Sequence, residues 1–324
     1  MRLLFTAVAL ALLSCLVMSC GRGPEGKRKI VIGMVAKSQT NPVFQAAHAG
    51  ARDAAKELAA KYNVDIEVNI QTPVDENAQK QAEAVEALTR LGVHGITVSC
   101  SEAGTLTPAI DGAVAKGVPV VCFDSDAPAS KRFAYYGTDD ATCGKLVMQE
   151  LAKAMGEKGT IAILAGNQAA PNLQARAKGV RDELVNHPGI KEIATGAVYH
   201  EETPEKAAEK LQDVQRNNPG ITGWALIGGW PLFTKDALPW KAGEVKVVSV
   251  DALPAQLPYL ASGHVECLLA QDCYGWGYRT VDMLLAKILL NEQPKELKVI
   301  DPLTKVTKDN TAEWSKKWTK WLAK

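Results

Sequence analysis

Eight side chains, Asn41, Phe44, Asp124, Ser125, Arg176, Trp230, Asp251 and Gln271, stand just past apolar runs or early in the segments that follow them. Carboxylates accept hydrogen bonds, an arginine donates in a fixed fork, and amides do both. A polyhydroxylated molecule offers donors and acceptors together, so this mixture suits a sugar or polyol. Flat rings such as Phe44 and Trp230 could cover the C–H face of a sugar ring. Each residue also has a purely structural reading. Asn41 before Pro42 is a ready helix N-cap, and Asp124 and Asp126 could cap a turn. Arg176 could be a solvated charge and Trp230 a packed core residue. Their shared placement carries the argument, so the elements that deliver them decide it.

Short apolar runs alternate with helical patterns along almost the whole chain. The runs 30–35, 64–70, 95–100 and 119–123 alternate with helical stretches over 43–61, 75–91 and 105–116. The pattern restarts with runs over 160–164, 193–199, 224–227, 245–250 and 265–270, and helical stretches over 171–185, 205–215 and 275–290. The runs are continuous and β-branched rather than alternating, as in a parallel sheet covered by helices on both faces. Crossovers of this length make the sheet parallel and right-handed. The expected class is α/β, with two doubly wound domains. Ligands of such sheets bind beyond the carboxyl ends of the strands. The segments there are Lys37 to Phe44, Asp124-Ser125-Asp126, Gly166-Asn167-Gln168 with Arg176, Gly228-Gly229-Trp230, Asp251 and Gln271.

The start of the chain points to export. Met1-Arg2 precedes an apolar run from Leu3 to Val17, then Met18-Ser19-Cys20-Gly21 and a polar stretch. That is a signal-peptide layout, and the run is shorter than the ~20 residues a membrane span needs. Residues 1–19 are expected to be removed, with Cys20 as the lipidated first residue; Val17-Met18-Ser19-Cys20 resembles the bacterial lipobox. Without residues 1–19, whose one charge is Arg2, 36 basic side chains face 36 acidic ones. This balance gives no electrostatic footprint for nucleic acid. Cys100, Cys122, Cys143, Cys267 and Cys273 have no C-x-x-C spacing, and the five histidines stand singly, so no metal site is expected.

Taken in order, these residues resemble the periplasmic sugar-binding proteins of ABC transporters, of the ribose-binding type, from about Lys29 to about Pro302. Asn41-Pro42-Val43-Phe44 is similar to the family's Asn-Pro-aromatic-aromatic element. Pro119 to Asp124 and Val247 to Asp251 resemble the two strands that end in ligand-binding aspartates. Gln174 to Gly179 resembles the Arg-x-x-Gly helix whose arginine binds sugar hydroxyls. Tyr136 to Asp140 with Gly144, and Ala270-Gln271-Asp272, resemble hinge crossings, the second with its binding glutamine. Ser125 stands where ribose binders carry arginine, and Gly228-Gly229-Trp230 where Asn-Asp is usual. These departures imply a reshaped pocket with Trp230 as a substitute contact.

The resemblance implies a type I periplasmic binding protein fold, Rossmann-like in each domain, with a three-crossing hinge. The first lobe would take 28–137 plus 272–299, and the second 138–271 plus 300–324. It further implies a monomer without cofactor that closes on a sugar or polyol and is read by a permease. A disulfide between Cys143 and Cys273, both near hinge crossings, is a further expectation. Trp314, Trp318 and Trp321 fall on one helical face, which either docks on the protein or lies in a membrane interface. A repressor of the lactose type is not expected, because a signal-peptide layout stands where its DNA-binding helices would be. No nucleophile elbow, P-loop or dinucleotide fingerprint supports an enzyme. A sensor delivering a sugar-derived signal to a receptor stays open, and the exported glycoside-acting enzyme is the remote alternative.

Overall fold

The computed structural model describes residues 26–322. The expected export segment and Cys20 lie outside the described residues. Eight elements build the first lobe in direct succession: β1 (Arg28–Val35), α1 (Pro42–Tyr62), β2 (Val64–Ile70), α2 (Ala78–Arg90), β3 (Gly95–Val98), α3 (Ala103–Ala115), β4 (Val120–Phe123) and β5 (Ala134–Gly137). The chain then crosses into α4 (Asp140–Met155), β6 (Gly159–Ala165), α5 (Pro171–Leu184), β7 (Ile190–Glu192), β8 (Val198–Tyr199), α6 (Pro204–Asn217) and β9 (Gly223–Leu226). A 3₁₀ turn (Trp230–Phe233), β10 (Lys246–Val250), α7 (Leu257–Ser262) and β11 (Cys267–Ala270) complete the second lobe. It crosses back into α8 (Cys273–Leu290) and β12 (Lys298–Ile300), and last into β13 (Thr304–Val306) and α9 (Thr311–Leu322).

One sheet runs β12-β5-β4-β3-β1-β2 and is wholly parallel. The other runs β13-β11-β10-β9-β6-β7, with β8 also beside β6, and only β13 is antiparallel. Strands β3, β4, β9 and β11 are buried along their whole length, which explains their unbroken apolar runs. The fold is the doubly wound pair that the hydrophobic pattern implies.

Glycines bring helices into backbone contact where the site is built. A Cβ on Gly144 of α4 would lie 2.0 Å from the Arg176 carbonyl oxygen of α5, and one on Gly179 would lie 2.2 Å from the Ala141 carbonyl oxygen. That close approach sets Arg176 beside Asp140, the first residue of α4. In the first lobe α1 and α8 meet the same way at Gly50 and Gly277.

Several expectations need correction. The run 193–199 is not one strand: β7 ends at Glu192, and the chain turns at Gly196 (φ +72°) before the two-residue β8. Helix α4 and strand β5 add to the expected elements; Asp139 caps α4 and Gly156 closes it in the left-handed region. Cys143 and Cys273 are buried free thiols, so the expected disulfide is absent. Their burial keeps both thiols protonated, Cys143 being pushed up to about 12. The tryptophan face docks on the protein rather than presenting itself to a membrane. Trp314 and Trp318 are buried, Trp314 Nε1 donates to the Ala252 carbonyl at 2.6 Å, and Trp321 stacks on Tyr274 at 5.5 Å. Among the described residues no helix is long and apolar enough to cross a membrane.

Candidate functional site

Strands β4 and β10 occupy corresponding inner positions in the two sheets, and each runs directly into an aspartate. Asp124 has φ +55° and Asp251 φ +69°. An L-residue pays for the left-handed region, roughly 1–2 kcal/mol, and aspartate is one of the few that visits it. Both are buried, 6% exposed. Past the turn, the Asp124 carboxylate meets the other lobe at Asn172, while the Asp251 carboxylate is bonded within its own lobe.

In the second lobe these groups are bonded to one another. Asp251 accepts from Gln271 Nε2 at 2.8 Å and from the Gly229 N–H at 3.3 Å. Gln271 Oε1 accepts from Thr138 Oγ1 at 3.0 Å and from Arg176 at 2.7 Å. Arg176 further donates through Nε to Asp140 at 2.8 Å and through Nη1 to the Ile227 carbonyl at 3.2 Å. Burial opposes its charge, but Asp140, Asp124 and Asp251 outweigh that and hold its pKa above the ordinary value. Burial pushes the Asp140 carboxyl up, to about 6, against the pull of Arg176. Asp251 is raised as well, by burial first.

In the first lobe Asp124 Oδ2 accepts from Ser99 Oγ at 2.7 Å. Its other oxygen accepts across the cleft from Asn172 Nδ2 of α5 at 3.4 Å. Asn172 Oδ1 in turn accepts from Lys37 Nζ, at the end of the first strand segment, at 3.4 Å. Lys37 is 2% exposed. Burial works against its charge, and Glu202, Glu76 and Asp124 more than offset that. Nearer the mouth, Asn167 joins the lobes by donating to Glu76 at 3.3 Å through its side chain and to Glu202 at 3.0 Å through its backbone. Burial and neighbouring Glu76 push Glu202 up to about 8 despite Lys37, while Lys37 and hydrogen bonds overcome burial to lower Glu76. This acid pair keeps a proton, on Glu202.

Cavities flank the cluster on two sides. One of about 320 Å³ touches Tyr135, Thr138, Asp140 and Asn172. Another of about 660 Å³ at the mouth is lined from the first lobe by Ser38, Thr40 and Glu76 and from the second by Asn167, His200 and Glu202. Both fall within the usual range of small-molecule sites.

The structure thus brings Arg176, Asp251 and Gln271 into one hydrogen-bonded network, while Asp124 bonds Ser99 and Asn172 and meets Arg176 only through its charge. Ser125 is wholly buried next to Asp124, with its Oγ unpartnered. Trp230 packs edge-on to His200 at 5.1 Å and is buried among second-lobe core residues, with Nε1 unpartnered. Asn41 caps α1, accepting from the Val43 N–H at 3.2 Å. Phe44 stays with the first-lobe core, against Phe123 and Trp276 at 6.5 and 6.1 Å. Sequence reading did not single out Lys37, Ser99, Asp140, Asn172 or Glu202. Lys37 had one signal, a charge directly after an unbroken apolar run. Among the described residues no group of three or more His, Cys, Asp or Glu could hold a metal.

The family model for the periplasmic binding protein domain matches residues 32–293, which spans both lobes and the first two crossings. The chain belongs to this family. Among members of the periplasmic binding protein family, the D-ribose/D-allose-binding protein of Pseudomonas aeruginosa is 26% identical over 275 residues, covering 82% of this chain and 84% of that protein. The xylitol-binding protein of Mycolicibacterium smegmatis is 26% identical over 234 residues, covering 71% and 66%. A carbohydrate transporter solute-binding protein from Agrobacterium radiobacter, solved with D-arabinose, superimposes with a TM-score of 0.79 at 26% identity. The match covers 89% of this chain and 97% of that one. Family members of this kind work outside the cytoplasm as binding proteins, and that location and class extend to this chain.

Proposed function

We propose that this protein is a lipid-anchored solute-binding protein that captures a neutral sugar or polyol and delivers it to an ABC permease. One observation carries the reading: two left-handed aspartates, Asp124 and Asp251, end equivalent strands on opposite sides of one cleft. A ligand hydroxyl pair bonded by both would be fully held only with the lobes together, so ligand favours the closed form by its differential affinity. Asn172 and Asn167, which reach from the second lobe to Asp124 and Glu76, supply the contacts of closure. Ser125 Oγ and Trp230 Nε1 are buried polar atoms free to meet a guest.

Charge narrows the ligand. Lys37 and Arg176 stand against Asp124, Asp140, Asp251 and Glu76, with Glu202 holding a proton, so the cluster is net negative. It suits neutral polyols and repels uronates and sugar phosphates. The relatives bind ribose, allose and xylitol by name, and pentoses, hexoses and polyols of that size are the ligands to try. A thermal-shift screen over neutral sugars with their uronates and phosphates tests this. Ligand at 100 times its dissociation constant adds about 2.7 kcal/mol of stability. A shift given only by the anionic members would overturn the reading.

Cys20 would carry the lipid, and bacterial-type multiple acylation would make the anchoring stable. Mass spectrometry of the exported protein tests that, since an unmodified Cys20 would contradict it.

A further inference from the structure

The first lobe holds a cavity of about 640 Å³ that the sugar site does not use. It lies at the amino ends of the strands, beside Arg28, His94 and Val120, and so at the end opposite the cleft. Arg28, Lys116, Lys131, Lys287 and His94 line it, and no carboxylate does. The whole chain has 37 basic and 36 acidic side chains, so a one-signed lining departs from its even mixing. Neighbouring cations on this lobe are neutralised: Lys29 pairs with Glu67 and Arg90 with Glu86. By contrast Lys287 bonds only the neutral amides of Asn291 and Gln293. His94 accepts from the Val31 N–H through Nδ1, which turns an Nε2–H donor outward from that bond. Beneath the cations the lining is apolar, with Val93, Phe133 and Ile288. A cationic rim over an apolar floor matches an amphiphile with an anionic head.

Position in the chain supplies the second argument. Arg28 begins β1 and lies eight residues after Cys20. Eight residues reach at most about 28 Å when fully extended. Between them Arg22 and Lys27 add two cations against one acid, Glu25. A lipid on Cys20 would therefore hold this face near the headgroups, where each cation adds to the attraction and screening is short-ranged.

We propose that the base of the first lobe docks on anionic phospholipid, seating a headgroup phosphate among Arg28, Lys116, Lys131 and Lys287. This placement rests on the lipid anchor proposed at Cys20, although the binding itself does not. Docked so, the protein turns its cleft away from the bilayer and toward incoming solute. It must lift off this face to present the closed cleft to a permease.

Co-sedimentation tests the proposal, using the chain from Gly21 onward, which keeps every described residue and carries no lipid. At low salt it should bind vesicles of equimolar phosphatidylcholine and phosphatidylglycerol and ignore vesicles of phosphatidylcholine alone. Each cation removed should weaken binding roughly fivefold, so Lys116→Glu/Lys131→Glu should lose more than tenfold. The control pair Lys210→Glu/Lys235→Glu, exposed on the second lobe, should keep most of it. Equal binding to both vesicles, or equal loss in both double variants, would overturn the proposal. Release by inorganic phosphate at the vesicles' phosphate concentration would reassign the cavity to a small anion. The sugar-induced thermal shift of Lys116→Glu/Lys131→Glu should match the parent, which separates failure here from failure of the sugar site.

Discussion

Asp124 and Asp251 look like copies, yet their partners differ in kind. Asp251 is held by its own lobe, through Gln271 and the Gly229 N–H, and Gln271 is tied in turn to Arg176 and Thr138. Asp124 has one partner from its own lobe, Ser99, and one from across the cleft, Asn172. The second lobe therefore carries a pre-assembled half of the site whose bonds belong to the fold. In the first lobe the bond from Ser99 belongs to the fold and the bond from Asn172 joins the two lobes. Damage to the two halves should read out differently, the one as stability and the other as ligand response.

Arg176→Ala should produce the largest effect. It strands Asp140 and Gln271 in a buried setting, and breaking a buried ion pair from one side costs about 3–5 kcal/mol. Chemical denaturation of the unliganded protein measures this, and a loss under ~1 kcal/mol would break the contrast between halves. Asp124→Asn should cost the unliganded protein less than ~1 kcal/mol, because asparagine tolerates the left-handed backbone and keeps the hydrogen-bonding shape. The same variant should lose most of its ligand-induced thermal shift. Asn172→Ala sharpens the comparison further. It deletes the bonds to Asp124 and to Lys37, and should weaken sugar affinity by about tenfold, the worth of one to two hydrogen bonds, in titration calorimetry.

The smallest expected effect concerns pH. Glu202 has an ordinary value of 4.5 and is raised to about 8, by burial first and Glu76 next. Between those values the folded chain holds a proton that the unfolded chain has released. Its contribution to stability is complete below about 4.5, falls as pH rises, and is gone above about 8. Glu202→Gln should flatten the fall in melting temperature between these limits. An unchanged pH profile would show that Glu202 does not hold its proton at the cleft mouth.

Much of this was legible in the residues. Continuous β-branched runs mark buried parallel strands, so β1, β4 and β10 could be found, and their ends pointed to Asp124 and Asp251. Arg176, in the second turn of α5, was marked by the resemblance of Gln174 to Gly179 to the Arg-x-x-Gly helix rather than by its position alone. What stayed hidden depends on partners far apart in sequence. Lys37 is buried because Glu76, Glu202 and Asp124 arrive from three other segments. Asn172 looks like the start of a helix until the lobes meet. Asn41 and Phe44 lie in the expected segment, but their visible bonds are those of a cap and a core ring. Cys143 and Cys273 show that nearness to a crossing does not bring two sulfurs together.

The most direct measurement compares melting of the parent chain and Asp124→Asn across neutral pentoses, hexoses and polyols. At least one such compound should stabilise the parent strongly, while Asp124→Asn melts near the parent without ligand and gains almost nothing with it. No response to any neutral polyol, or an equal response in both proteins, would contradict the idea that the two strand-end aspartates share one guest.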